Sequence, residues 1–351
     1  MDHADVAIAG GGIIGLATAL ELARLGRKVT VFDRGEAMSE ASRAAAGMLA
    51  GSDPENPPEL SELAQLSLGL YPAFLSNIDR LCGKEIEIRT SLTVQGVRRP
   101  PRGATVLTDA EVQSLAPRAE TAGWIFYRID EESFDAWDLA EALPSAARAA
   151  GIDLREHCAV HAVRSTPSGV ELETQNGRFT AGAFLNAAGA WSPSLEKGLP
   201  VSPRKGHMLT AELSGPLQMS CVLRTPAVYI VPRGANRYTI GPTLEDVGFD
   251  REVHPDRVHR LFEKAVELWP ALRDARIAET WIGFRPGCPD GLPILDKTAP
   301  RCWIATGHFK NGIMLGPATG HILARWITGA EPGINLAPFR SARFAVSEVR
   351  S

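Results

Sequence analysis

The stretch from Asp5 to Arg34, DVAIAGGGIIGLATALELARLGRKVTVFDR, constrains the fold more than any other part of the chain. Val6, Ile8 and their neighbours read as a strand, Leu16, Leu20 and Leu25 as a helical stripe ended by Gly26, and residues 28–32 as a second β-branched run. Between strand and helix, Gly10, Gly12 and Gly15 stand at GxGxxG spacing. The first glycine permits the tight turn, the second lets backbone approach a pyrophosphate, and the third lets helix pack closely on strand. An anion at this helix start meets free N–H groups and the positive end of the dipole. Asp33 closes the second strand about 20 residues on, where a carboxylate accepts hydrogen bonds from ribose hydroxyls. The unit predicts a dinucleotide-binding βαβ and leaves the dinucleotide unnamed. Read as an ordinary glycine-rich turn, the same stretch leaves Asp33 unexplained.

A chain of 351 residues suggests two domains. With 44% hydrophobic and 22% charged residues it has a soluble globular composition. A net charge of -4 gives no sign of affinity for nucleic acid or an anionic membrane, so a small molecule is the expected partner. The N-terminal apolar run is preceded by Asp2 and Asp5 rather than by basic residues, and Glu21 and Arg24 interrupt it; neither a secretory signal nor a membrane span is expected. Five cysteines without CxxC or zinc spacing are read as reduced thiols of a cytoplasmic protein. No metal site is expected; His157 and His161 fall in a strand region.

After Asp33, the small-residue run 39–51 lets backbone approach a flat ligand. Residues 52–58, SDPENPP, form a connector, and Leu60, Leu63, Leu66 and Leu70 a helical stripe. Strand patterns follow at 84–99 and 124–131, a capped short helix at 108–115 with Thr108 and Glu111, and a helix at 135–150. Residues 152–192 hold at least three strands, the last a continuous apolar run suited to a sheet covered on both faces. Further strands are expected at 207–213, 227–232, 237–241 and 276–284, a helix at 254–268, and a glycine turn feeding a helix at 307–329. This pattern predicts a nucleotide-binding domain from three segments, 1–51, 140–206 and 281–351, with a substrate-binding domain from 52–139 and 207–280.

The motifs GGGIIG (10–15), AAAGML (44–49), YIVPR (229–233), GFRPGCPDGLP (283–293) and GHFKNGIMLGPATG (307–320) occur in that order. Together they resemble the flavin-dependent amino-acid and amine oxidases, most closely the bacterial glycine oxidases, relatives of D-amino-acid oxidase. The resemblance spans nearly the whole chain. It implies an α/β fold with a Rossmann-like FAD-binding domain of the glutathione-reductase type and a mainly antiparallel β substrate-binding domain. It also implies non-covalent FAD, since neither Cys288 nor Cys302 matches the cysteine that holds the flavin in some sarcosine oxidases. Ile13 and Ile14 would lie by the pyrophosphate, with Asp33, Arg34 and Val160 at the adenosine end. Ser42, Ala46, Gly47 and Met48 would surround pyrophosphate and flavin. His308, Phe309, Lys310, Asn311, Gly312, Ile313 and Met314 would follow the isoalloxazine edge, with a helix starting near Gly316 aimed at it.

The resemblance further implies oxidative deamination of glycine or small D-amino acids, with hydride leaving Cα, oxygen as acceptor, and a link to thiamine synthesis. Arg285 would grip the substrate carboxylate through its planar fork, and Tyr229 would donate its hydroxyl to the same group. Lys310 replaces an arginine of the glycine oxidases and would make a weaker second contact. Ala227 and Leu244 are candidates for shaping the pocket. His308 is read as positioning the cofactor rather than as a base, because a neutral amine already carries the electron pair that expels hydride. The alternatives left open are a sarcosine or D-proline type substrate, another electron acceptor, a nicotinamide dehydrogenase, and a flavin-binding subunit without activity; oligomeric state is also open.

Overall fold

The computed structural model describes residues 3–215 and 218–349. The opening stretch folds as strand His3–Ala9, helix Ile13–Arg24 and strand Val29–Phe32. The two strands pair in parallel, Val6 opposite Val29, and His3–Ala9 pairs in parallel on its other side with Gly177–Asn186. Cys302–Thr306 and Asp153–Arg155 extend this parallel core outward. Ile294–Ala299 and a hairpin before residue 177 complete an eight-stranded sheet. All four residues of Val29–Phe32 are buried, as strands covered on both faces require.

A second eight-stranded sheet runs from Arg276–Gly287 through Ser202–Glu212, Arg237–Gly241, Tyr229–Gly234 and Val222–Arg224 to Thr93–Val97, Ile125–Ile129 and Thr105–Val106. Its one parallel pairing joins Val222–Arg224 to Thr93–Val97. The boundaries expected at 206/207 and 280/281 fall inside Ser202–Glu212 and Arg276–Gly287, which pair along nearly their whole length. The expected short helix is Asp109–Leu115, and Thr108 and Glu111 close a capping box before it. The strand pattern at 84–99 resolves into Ile88–Thr90 and Thr93–Val97. Among the described residues, no helix is long and apolar enough to cross a membrane.

One expectation is corrected. The last long helix starts at Gly312, not near Gly316, and runs to Ile327. Gly316 and Gly320 lie inside this helix and are contact points. A Cβ on Gly316 would come within 2.7 Å of the Ile13 side chain, and one on Gly320 within 2.7 Å of the Ala17 backbone. Residues four apart share a helix face, so the two glycines let this helix press against Ile13–Arg24.

The same helix contains Pro317, which has no N–H for the carbonyl of Ile313. Tyr71 supplies the missing donor, its hydroxyl reaching that carbonyl at 2.5 Å. Ser67, one turn earlier on helix Ser61–Cys82, donates to the Met314 carbonyl at 2.7 Å and accepts from the Ala318 N–H at 3.1 Å. Tyr71→Phe strands a buried carbonyl and is expected to lower the unfolding free energy by about 1–3 kcal/mol. Urea unfolding of the two proteins measures this, and a loss under about 0.5 kcal/mol would show that the carbonyl finds another donor.

Candidate active site

Elements of both sheets enclose one cavity of about 730 Å³, a size that suits a cofactor with a small substrate. Asp33, Arg34 and Val160 line one end; Tyr229, Arg285 and Lys310 line the other. Asp33, at the end of its strand, accepts the N–H groups of Gly11 at 2.7 Å and Gly35 at 2.8 Å. Burial raises its pKa against those bonds, leaving an acceptor that gains from a hydroxyl donor. Arg34 lies 4.4 Å over the Trp191 ring, against which Phe249 stacks at 4.7 Å.

The middle of the cavity is built from glycine and small residues, and it fits a dinucleotide. Gly10, Gly12, Ser42, Ala46, Gly47 and Met48 line it, as do Ile13 and Ile14. Helix Ile13–Arg24 starts here with neither a side-chain cap nor an acidic residue in its first turn, and the Ile13 N–H bonds the Ser42 hydroxyl at 3.0 Å. Its positive end therefore faces the cavity with no protein carboxylate in its first turn to offset it. Gly15 lies behind the wall, where an added Cβ would be 1.9 Å from the Gly10 carbonyl oxygen.

Helix Gly312–Ile327 opens onto the same cavity, also without a side-chain cap or acidic first turn. His308, Phe309, Lys310, Asn311, Gly312 and Ile313 line the wall, and Phe309 sits at φ 46, a left-handed value that a phenylalanine adopts only under constraint. Met314 is not on the wall; it is buried behind, its carbonyl held by Ser67.

His308 is buried with its Nε2 3.1 Å from the Thr319 hydroxyl. Burial pushes its pKa down to about 3, which removes it as a neutral-pH base. An unfolded imidazole takes its proton near 6.5, so between about 6.5 and 3 the unfolded state binds more protons and stability rises with pH. Lowering the pH from 6.5 to 5 is expected to destabilise the native protein by about 1.5 kcal/mol more than His308→Asn, read by denaturant unfolding at both values. Equal pH slopes would mean that His308 is protonated in the folded state.

On the wall that carries Tyr229, the residues Gln95, Arg224, Tyr229 and Gly241 form one row across the second sheet, each opposite the next. Directly paired residues share a face. Gly241 has no Cβ because the Tyr229 hydroxyl would meet it at 2.6 Å. Burial pushes the Tyr229 phenol up to about 12, in spite of Arg285, so it stays a donor; at present its hydroxyl reaches the Met208 sulfur at 3.2 Å. Arg285 donates to the Thr243 carbonyl at 3.2 Å, and its guanidinium interacts electrostatically with the neighbouring Tyr229 phenol. No carboxylate pairs with it among the described residues.

Lys310 differs. Its ammonium pairs with Asp53 at 3.1 Å and Glu55 at 3.0 Å, both from the 52–58 connector. Burial raises the Asp53 carboxyl, but Arg224 and Lys310 outweigh it and hold the group below its ordinary range. Arg224 was not anticipated from the sequence. It is buried, lines the cavity, bonds Gln95, and faces Glu131 at 3.5 Å and Asp53 at 3.7 Å. Its signal was a charge at the end of an apolar strand run. Ala227 and Leu244 do not line the cavity. Ala227 is exposed just before strand Tyr229–Gly234, and Leu244 is 60% exposed beyond Arg237–Gly241, so strand alternation does not reach either. Thr225, Pro226 and Met208 form the wall there. Cys288 and Cys302 are also off the wall, and burial pushes the Cys288 thiol up to about 12.

The chain spans 97% of a glycine oxidase from Geobacillus kaustophilus, at 35% identity over 97% of its own length. The crystal structure of glycine oxidase from Geobacillus kaustophilus superposes with a TM-score of 0.92 and 33% identity, over 98% of this chain and 99% of that one. A bifunctional protein ThiO/ThiG from Trichormus variabilis is 35% identical over 97% of this chain, which spans 55% of that longer protein. A family model described as DAO, FAD dependent oxidoreductase, matches residues 5–326. The uncapped helix starts, the glycine cradle and the acid at the second strand's end thus belong to a member of the DAO family of FAD-dependent oxidoreductases.

Proposed function

We propose that the chain oxidises glycine or a small D-amino acid, with Arg285 and Tyr229 holding the substrate carboxylate. One observation carries this reading: Arg285 lines the cavity, donates to the Thr243 carbonyl beside the Tyr229 phenol and has no acidic partner among the described residues, whereas Arg224 on the same cavity wall faces acids. A guanidinium held by neutral groups retains its capacity for a bidentate carboxylate. Tyr229 adds an O–H donor beside it, and together they fix the substrate so that its Cα–H faces one direction.

Gly10, Gly12 and the start of helix Ile13–Arg24 would hold the pyrophosphate, with Ile13, Ile14, Ser42, Ala46, Gly47 and Met48 around it. Asp33, Arg34 and Val160 would take the adenosine end, and residues 308–313 the flavin edge, with Gly15 and Met314 supporting from behind. FAD supplies a two-electron acceptor for the hydride that leaves Cα. The buried thiols off the wall support non-covalent binding. His308, neutral and bonded to Thr319, keeps charge away from the site. The released imino acid hydrolyses to a keto acid and ammonia, and oxygen is the proposed final acceptor. A cytoplasmic enzyme supplying glycine imine to thiamine synthesis accords with the ThiO/ThiG relatives.

The test is anaerobic mixing of the yellow protein with glycine, sarcosine, D-proline and paired D- and L-amino acids. Bleaching by glycine or small D-amino acids supports the reading. Bleaching by L-enantiomers alone, or a protein that takes up no flavin, overturns it.

A further inference from the structure

A guanidinium without acidic partners has to be aimed by something else. For Arg285 the direct support is the Thr243 carbonyl, yet Thr243 lies past the end of strand Arg237–Gly241, where no regular ladder fixes it. Side chains and local backbone bonds do so instead. The Thr243 N–H donates to the His207 carbonyl at 3.3 Å, and the His207 N–H donates to the Thr243 hydroxyl oxygen at 2.8 Å. That hydroxyl donates to Glu245 at 2.9 Å. Glu245 and Lys205 exchange backbone hydrogen bonds of 2.9 and 3.0 Å.

His207 completes the arrangement. It is fully buried, and its Nε2 accepts the His254 backbone N–H at 3.1 Å. An acceptor nitrogen carries no proton, so the ring proton is on Nδ1, which lies 2.9 Å from the same Glu245 oxygen. The neighbour before it, Gly206, provides the space: a Cβ there would be 2.2 Å from the Arg285 guanidinium.

We infer that Thr243, His207 and Glu245 form a positioning network that fixes the Thr243 carbonyl, and through it the Arg285 fork, in the orientation a carboxylate requires. None of the three lines the cavity, so their role is to position a binding residue rather than to touch substrate. The inference rests on the reading of Arg285 as the carboxylate anchor.

Thr243→Val keeps the backbone carbonyl and the side-chain shape while deleting the hydroxyl. Acetate has the carboxylate and no amine, so its affinity for the FAD-loaded protein, read from the flavin absorption, reports the anchor without turnover. Thr243→Val is expected to raise the acetate Kd about tenfold, the loss of one well-placed hydrogen bond. Thr243→Ser is expected to stay within about twofold, and KM for the amino acid to follow the Kd more than kcat does. Glu245→Ala, at a partly exposed position, should act in the same direction and decides the matter if Thr243→Val does not fold. Folded variants that bind acetate like the parent would overturn the network, since a merely structural role would move the unfolding midpoint and leave affinity alone. Arg285→Leu is measured alongside. If it too binds acetate normally, the anchor itself is wrong; if it alone loses binding, the anchor stands and the network falls.

Discussion

An Arg285→Leu variant is expected to lose about two to three orders of magnitude in kcat/KM for glycine, the scale of removing a charged, bidentate partner from an enclosed site. The loss should appear mainly in KM and in the affinity for carboxylate ligands, because the carboxylate does not change charge during oxidation at Cα. Arg285→Lys keeps the charge but not the planar fork, and should fall between the two. The prediction is sharper for Arg285 than for any other cation near the site. Lys310 and Arg224 already face Asp53, Glu55 and Glu131, so replacing either one also frees an acid inside or beside the cavity. Steady-state kinetics with glycine on flavin-loaded protein settle the matter; a tenfold or smaller effect would place the carboxylate elsewhere.

The opening strand–helix–strand unit was legible because its signals are local. Gly10, Gly12, Gly15 and Asp33 lie within 24 consecutive residues, and strand, helix and strand around them have different periods. The wall around Tyr229, Arg224 and Lys310 was less so, because its electrostatics joins distant segments. Nothing near Lys310 in the chain indicates that Asp53 and Glu55, more than 250 residues away, take up its charge. The start of the last long helix, expected near Gly316 and found at Gly312, was misplaced for a related reason. A glycine in isolation suggests a turn, and only the facing Ile13 and Ala17 reveal a helix contact. The same holds for His207 and Thr243, whose sequence neighbours give no hint that they meet beside Arg285.

The second large effect concerns the opening motif, whose glycines do different physical work. Gly10 has φ +108, and a Cβ there would lie 2.2 Å from the Ala187 carbonyl oxygen, backbone that cannot move aside without opening the parallel sheet. Gly10→Ala is therefore expected to lose both fold stability, by about 3 kcal/mol or more, and bound flavin. Gly12 has φ −76, which any residue adopts, and a Cβ would touch only the Ser42 hydroxyl at 3.2 Å. That Cβ would nevertheless stand at the cavity wall, at the helix start where the pyrophosphate is proposed to sit. Gly12→Ala should then fold with nearly native stability and still purify with far less flavin. Flavin content per chain, measured with the unfolding midpoint, separates the two cases. If Gly12→Ala retains a full complement of FAD, the backbone does not approach the pyrophosphate at residue 12, and the cradle must be built from Gly10 and the 42–48 segment instead.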